Sequence, residues 1–220
     1  MKMYKWLFAF LLLPAVGFAQ LQHPPFWEDI QAFKKQDSLH FPGTGKILFV
    51  GSSSFTKWTD VQNYFPGYPI INRGFGGSTL EDVIRYEKDV IFRYALKQIV
   101  IYCGENDIAA ADTITGKIVF NRFKKLYTDI RSRFPEVPVI YISMKPSPSR
   151  WGMRDRFIDG NKRIQEFLTK QRHARYLNVW KLMLGTDGKP MKNIFISDNL
   201  HMNANGYAIW KKALEPYLVK

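Results

Sequence analysis

Short apolar runs alternate with helix-like patterns along most of this chain, and that alternation restricts its fold more than any other feature. Residues 46–50 form an apolar run that ends at Gly51. Similar runs cover residues 69–71, 98–102 and 137–142, with a weaker one over 174–178. Runs this short, bounded by Gly, Asn and Ser, read as buried strands. Between them, residues 79–94, 113–134, 155–171 and 203–217 carry apolar side chains at helical spacing, such as Phe123, Leu126, Ile130 and Phe134. Residues 24–38 read as a further helix that starts after Pro24 and Pro25 and packs Phe26, Trp27, Ile30 and Phe33. Strands that alternate with helices build a parallel sheet with helices on both faces.

The N-terminus stands outside that pattern. Lys2 and Lys5 flank a basic start, residues 6–16 are apolar apart from Pro14, and Gly17 and Ala19 are small. This is the layout of a secretory leader, residues 1–19, cut after Ala19. The expected mature chain, residues 20–220, is a single domain with no stable membrane anchor, periplasmic or secreted. The chain has one cysteine, Cys103, so no intrachain disulfide can form, and its place after an apolar run suits a buried small side chain. The formal net charge is +13, or +11 once Lys2 and Lys5 are removed. The basic residues are scattered rather than clustered, and nothing resembles a nucleic-acid module. No signal for an oligomeric state is present.

In open parallel sheets ligands bind beyond the carboxyl ends of the strands. The residues that follow each run are therefore informative. They are Gly51-Ser52-Ser53-Ser54, the stretch from Asn72 to Ser78, Gly104-Glu105-Asn106-Asp107, and Ser143-Met144-Lys145-Pro146-Ser147. Asp198-Asn199-Leu200-His201 lies near the C-terminus. Each piece alone is ordinary turn chemistry. Together they place nucleophile, amide and acid–base groups on one rim.

With these blocks in this order, the chain resembles the SGNH/GDSL esterases from about Ile47 to Tyr217. In detail it is similar to bacterial members related to platelet-activating-factor acetylhydrolase-like esterases. The resemblance implies a flavodoxin-like α/β/α domain with about five parallel strands. It implies Ser53 as nucleophile, Gly77 and Asn106 as oxyanion donors beside the Ser53 N–H, and Asp198 with His201 as the base pair. One position departs from the family pattern: Ser52 stands where Asp is usual. Ser52 and Ser54 remain alternatives to Ser53 as nucleophile.

The residue chemistry agrees. A serine hydroxyl needs a base to take its proton, a histidine can do so near neutral pH, and a nearby carboxylate can orient that histidine. No cofactor is needed, and no His or Cys cluster suggests a metal. Trp58, Tyr102 and Phe75 suit core positions. Phe75 and Trp151 also fall in rim loops, where they would suit a stacking surface. Arg150 and Trp151, in the loop over residues 143–154, are candidates for contacting the substrate, with a Pro-stiffened connector and a satisfied Arg as the alternative. The polar loops and the lack of a long apolar insertion point to a short acyl group, acetyl above all, on a small-molecule or glycan ester. Alternatives are a lysophospholipase or thioesterase, and a non-catalytic glycan- or anion-binding module.

Overall fold

A computed structural model describes residues 23–220. The expected leader, residues 1–19, lies outside the described residues. In chain order the elements are α1 (Trp27–Leu39), β1 (Lys46–Gly51), α2 (Ser53–Thr56), α3 (Val61–Tyr64), β2 (Ile70–Gly74), α4 (Leu80–Arg85) and α5 (Glu87–Val90). There follow β3 (Leu96–Tyr102), α6 (Glu105–Ala110), α7 (Gly116–Arg133), β4 (Val139–Ile142), α8 (Arg154–Leu168), β5 (Ala174–Leu177) and α9 (Ala204–Leu214). The five strands form one sheet in the order β2-β1-β3-β4-β5, every pair parallel. The alternation predicts a parallel sheet, and this is the flavodoxin-like order that the resemblance implies.

Alternation along each strand sends side chains to opposite faces. On β1, Leu48 and Val50 join Ile99, Ile101, Val139 and Tyr141 in a core shared with α1, α4, α7 and α8. Ile47 and Phe49 join Val100, Ile140, Ile142, Phe55 and Trp210 on the other face, under α2, α3 and α9. Both faces are thus covered, and the strand ends are left as the accessible rim.

Several elements differ from their sequence patterns. The second strand continues through Asn72 and Arg73 to Gly74 instead of stopping at residue 71. Arg73 is buried there because Asp37 of α1 takes its Nη2 at 2.5 Å and the Tyr94 hydroxyl takes its Nε at 2.7 Å. A buried guanidinium is tolerated only when paired in this way. The pattern over 79–94 is two short helices, α4 and α5, that meet at Tyr86, whose hydroxyl donates to the Pro25 carbonyl at 2.8 Å. Among the described residues no helix is long and apolar enough to cross a membrane.

Candidate active site

Ser53 is the first residue of α2, immediately beyond β1. The turn before it requires glycine: Gly51 has φ 138°, and a Cβ there would lie 2.0 Å from the Tyr102 carbonyl oxygen. Two ties hold the turn in place. The Asn72 amide donates to the Phe55 carbonyl at 2.7 Å and accepts the Gly74 N–H at 3.0 Å. The Tyr207 hydroxyl donates to the Ser54 carbonyl at 2.9 Å. Neither tie was evident from the sequence, since each joins residues far apart along the chain.

Ser53 Oγ lies 2.9 Å from His201 Nε2, and His201 Nδ1 lies 2.6 Å from Asp198 Oδ2. The other Asp198 oxygen accepts the Leu200 and His201 N–H groups, each at 2.9 Å, around a turn with Asn199 at φ 55°. Burial pushes the Asp198 carboxyl up, but the hydrogen bonds it accepts from the His201 ring and these two N–H groups outweigh it and hold it at about 2. An ionised carboxylate can only accept, so the ring carries its hydrogen on Nδ1. Nε2 is then left to accept from Ser53. Of the three consecutive serines, Ser53 is the one whose hydroxyl meets His201, while Ser52 and Ser54 are buried.

The expected oxyanion donors lie at the start of α2 and in the segments that follow β2 and β3. Gly77 has φ 89° and is exposed. Its glycine is therefore required by the left-handed backbone and not only by close approach to a ligand. Asn106, in the first turn of α6, directs Nδ2 to the Ser78 carbonyl at 3.0 Å and to Ser52 Oγ at 2.8 Å. The Ser53 N–H also points to Ser52 Oγ, at 2.6 Å. Two donors thus converge on one oxygen, that of the residue that departs from the family pattern.

Residues flanking Asn106 brace it. Asp107 accepts the Leu80 N–H at 3.0 Å and an Arg122 N–H at 2.9 Å, tying the Asn106 segment to the helix that follows Gly77. Burial raises the Asp107 carboxyl to about 6 in spite of these donors. Glu105 is buried with Lys145, whose Nζ lies 3.0 Å from it, and accepts from the Tyr102 hydroxyl.

One expectation about the rim needs correction. Phe75 offers no stacking surface: it is fully buried, edge-on to Phe26 and Tyr86, because the loop turns it back over the sheet. Arg150 is turned inward, Nη2 onto Asn106 Oδ1 at 2.8 Å and Nη1 onto Glu105 at 3.3 Å, which favours the alternative of an Arg satisfied within the protein. Trp151 is half-buried and stacks on Trp180, ring centroids 6.1 Å apart. Among the described residues no group of three or more His, Cys, Asp or Glu side chains is placed to hold a metal ion.

The arrangement supplies a hydroxyl with an oriented base and N–H donors close by, which is the equipment of acyl transfer. The family model of the GDSL-like lipase/acylhydrolase family matches residues 37–209. The chain belongs to that family. It is an enzyme, a carboxylic ester hydrolase of the SGNH type. Solved structures agree on the fold. A proposed platelet activating factor from Streptococcus pneumonia is 19% identical with a TM-score of 0.77, covering 87% of this chain and 92% of its own. A GDSL-like lipase from Bacteroides thetaiotaomicron is 18% identical with a TM-score of 0.72, covering 85% and 95%. An acetyl-xylooligosaccharide esterase from Geobacillus stearmophilus is 12% identical with a TM-score of 0.64, covering 81% and 97%. No curated protein matches the chain.

Proposed function

We propose that this GDSL-family hydrolase is an exported esterase that removes short acyl groups, acetyl above all, from a carbohydrate carrier. The observation that carries the catalytic part is the unbroken hydrogen-bonded path from Ser53 through His201 to Asp198. In this reading Ser53 Oγ attacks the acyl carbon and passes its proton to His201 Nε2. The carbonyl oxygen becomes an oxyanion that takes N–H donors from Ser53, Gly77 and Asn106, in competition with the Ser52 hydroxyl. Collapse expels the carrier's oxygen, which takes the proton from His201. A water then repeats the sequence on the acyl-Ser53 ester and releases the free acid.

Three features favour a short acyl group on a sugar. Ser53 and His201 are only partly buried and Asp198 is exposed, which suits a shallow, open site. Trp151 and Trp180 form a stacked aromatic pair in the segments that follow β4 and β5. A structural relative is an acetyl-xylooligosaccharide esterase. A pocket that accommodates a longer chain would gain about 0.8 kcal/mol per buried methylene. In a shallow site kcat/KM should stay flat or fall beyond butyrate. Rates on p-nitrophenyl esters from acetate to palmitate, together with acetate release from acetylated xylan and peptidoglycan fragments, test this. A steady rise toward octanoate, with no acetate freed from any glycan, would move the reading to a lysophospholipase.

Export rests on the basic, apolar and small-residue layout of residues 1–19. N-terminal sequencing of the protein from the producing cells should read from Gln20. Recovery solely from the cytoplasm with Met1 intact would contradict it.

A further inference from the structure

The Asn106 amide is held at both ends. Its Oδ1 accepts from Arg150 Nη2 at 2.8 Å, and its Nδ2 donates to the Ser78 carbonyl at 3.0 Å and to Ser52 Oγ at 2.8 Å. A guanidinium cannot accept and a carbonyl cannot donate, so only one of the two amide orientations satisfies both neighbours. Rotating the amide by half a turn would set Oδ1 against the Ser78 carbonyl and Nδ2 against a cation. Arg150 and the Ser78 carbonyl together thereby set Nδ2, not Oδ1, toward Ser52 Oγ, next to Ser53.

Arg150 is itself anchored from behind. Its Nη1 lies 3.3 Å from Glu105 Oε2, whose carboxylate also takes the Lys145 Nζ at 3.0 Å, the Lys145 N–H at 3.0 Å and the Tyr102 hydroxyl. Glu105 and Lys145 are almost fully buried. Burial raises the Glu105 carboxyl, but Lys145 and Arg150 overcome that and keep it below the usual carboxylate range. The Arg150 guanidinium thus sets a positive charge against the amide oxygen, with Glu105 and Lys145 behind it. Such a charge polarises the amide toward better N–H donation and favours negative charge forming in front of it. Buried ion pairs rarely add stability over apolar packing, so their placement here has more to do with geometry than with folding energy.

We propose that Arg150 is a positioning residue that locks the Asn106 amide with its N–H side toward Ser53, with the buried Glu105–Lys145 pair as its anchor. In this role Arg150 acts on the reaction through Asn106, the side chain its Nη2 meets. The inference rests on the proposed role of Asn106 as an oxyanion donor.

A double-mutant cycle on p-nitrophenyl acetate tests it. Asn106→Ala should lower kcat by about 10²–10³. Arg150→Ala should lower kcat by about 10- to 100-fold with KM within about threefold of wild type, since a donor to the transition state is lost and not a substrate contact. In the Asn106→Ala background, Arg150→Ala should cost less than about threefold more, because residues that act as a unit are not additive. Arg150→Lys keeps the charge but cannot reach both partners with one planar group, so it should recover only part of the loss. Melting curves accompany each variant. If Arg150→Ala does not fold, Arg150→Lys carries the same cycle. Wild-type kcat in the Arg150 variants, or a full loss repeated in the Asn106→Ala background, would overturn the assignment. A wild-type protein that neither hydrolyses the ester nor labels with a fluorophosphonate would instead overturn the catalytic reading itself.

Discussion

Ser53→Ala should lower kcat on an aryl acetate by about 10⁴–10⁶ and leave the melting curve close to wild type. The hydroxyl removed is half-exposed at the start of α2, and its hydrogen bond is to His201. It fills no core space, so its loss creates no cavity. The attacking oxygen disappears, and what remains is the weaker catalysis supplied by the N–H donors and by substrate binding. The neighbouring serines serve as internal controls. Ser54 is buried and its hydroxyl makes no hydrogen bond to His201, so Ser54→Ala should act through packing. Ser52→Ala frees the two N–H groups that now converge on its hydroxyl. It should change kcat by far less than Ser53→Ala, and fluorophosphonate labelling should persist. Labelling followed by peptide mapping reads all three variants together. A silent Ser52→Ala or Ser54→Ala beside an active Ser53→Ala would move the nucleophile.

The parts of this molecule that were legible before the structure are those written in local sequence. Short apolar runs that end in polar, Gly-rich turns mark the rim, which is why the blocks at Gly51, Asn72 and Gly104 could be read as converging, while Asp198 and His201 were joined to them by the order of the family's blocks. The parts that were not legible depend on partners far along the chain. Arg73 reads as part of the rim stretch after the second strand, and nothing nearby announces that Asp37 and Tyr94 will enclose it. Phe75 lies in a Gly-rich loop like a ligand platform, yet the turn folds it onto Phe26 and Tyr86. Arg150 has the composition of a substrate contact. It is drawn inward because the buried Glu105 carboxylate, already paired with Lys145, also takes its Nη1. In each case a charge or ring is assigned by tertiary pairing, and residue type and spacing carry no record of the partner.

Asp198→Asn should lower kcat by on the order of 10⁴ while leaving substrate affinity and folding nearly intact. The substitution is almost isosteric, and Asn Oδ1 can still accept the Leu200 and His201 N–H groups that shape the turn. What changes is the side facing the ring. Asp198 Oδ2, 2.6 Å from His201 Nδ1, accepts a hydrogen there. An amide nitrogen in its place donates one, which favours the tautomer with the hydrogen on Nε2. Nε2 then meets Ser53 Oγ as a donor and can no longer take its proton. The substitution also removes the negative charge that steadies the imidazolium formed as Ser53 attacks. Because the carboxyl is held at about 2, it is ionised at any pH where the enzyme would be assayed. The sign of its linkage follows: a depressed carboxyl contributes stability above its unfolded value near 3.9, and that contribution is lost as pH falls through about 2. Loss of activity on mild acidification therefore cannot come from titration of Asp198. The decisive measurements are kcat and KM from pH 5 to 9 for wild type and Asp198→Asn, with Asp198→Glu as a variant that keeps the charge but displaces it. A kcat for Asp198→Asn within tenfold of wild type would mean that the turn alone orients His201, and the carboxylate would then be a structural residue of the 198–201 loop.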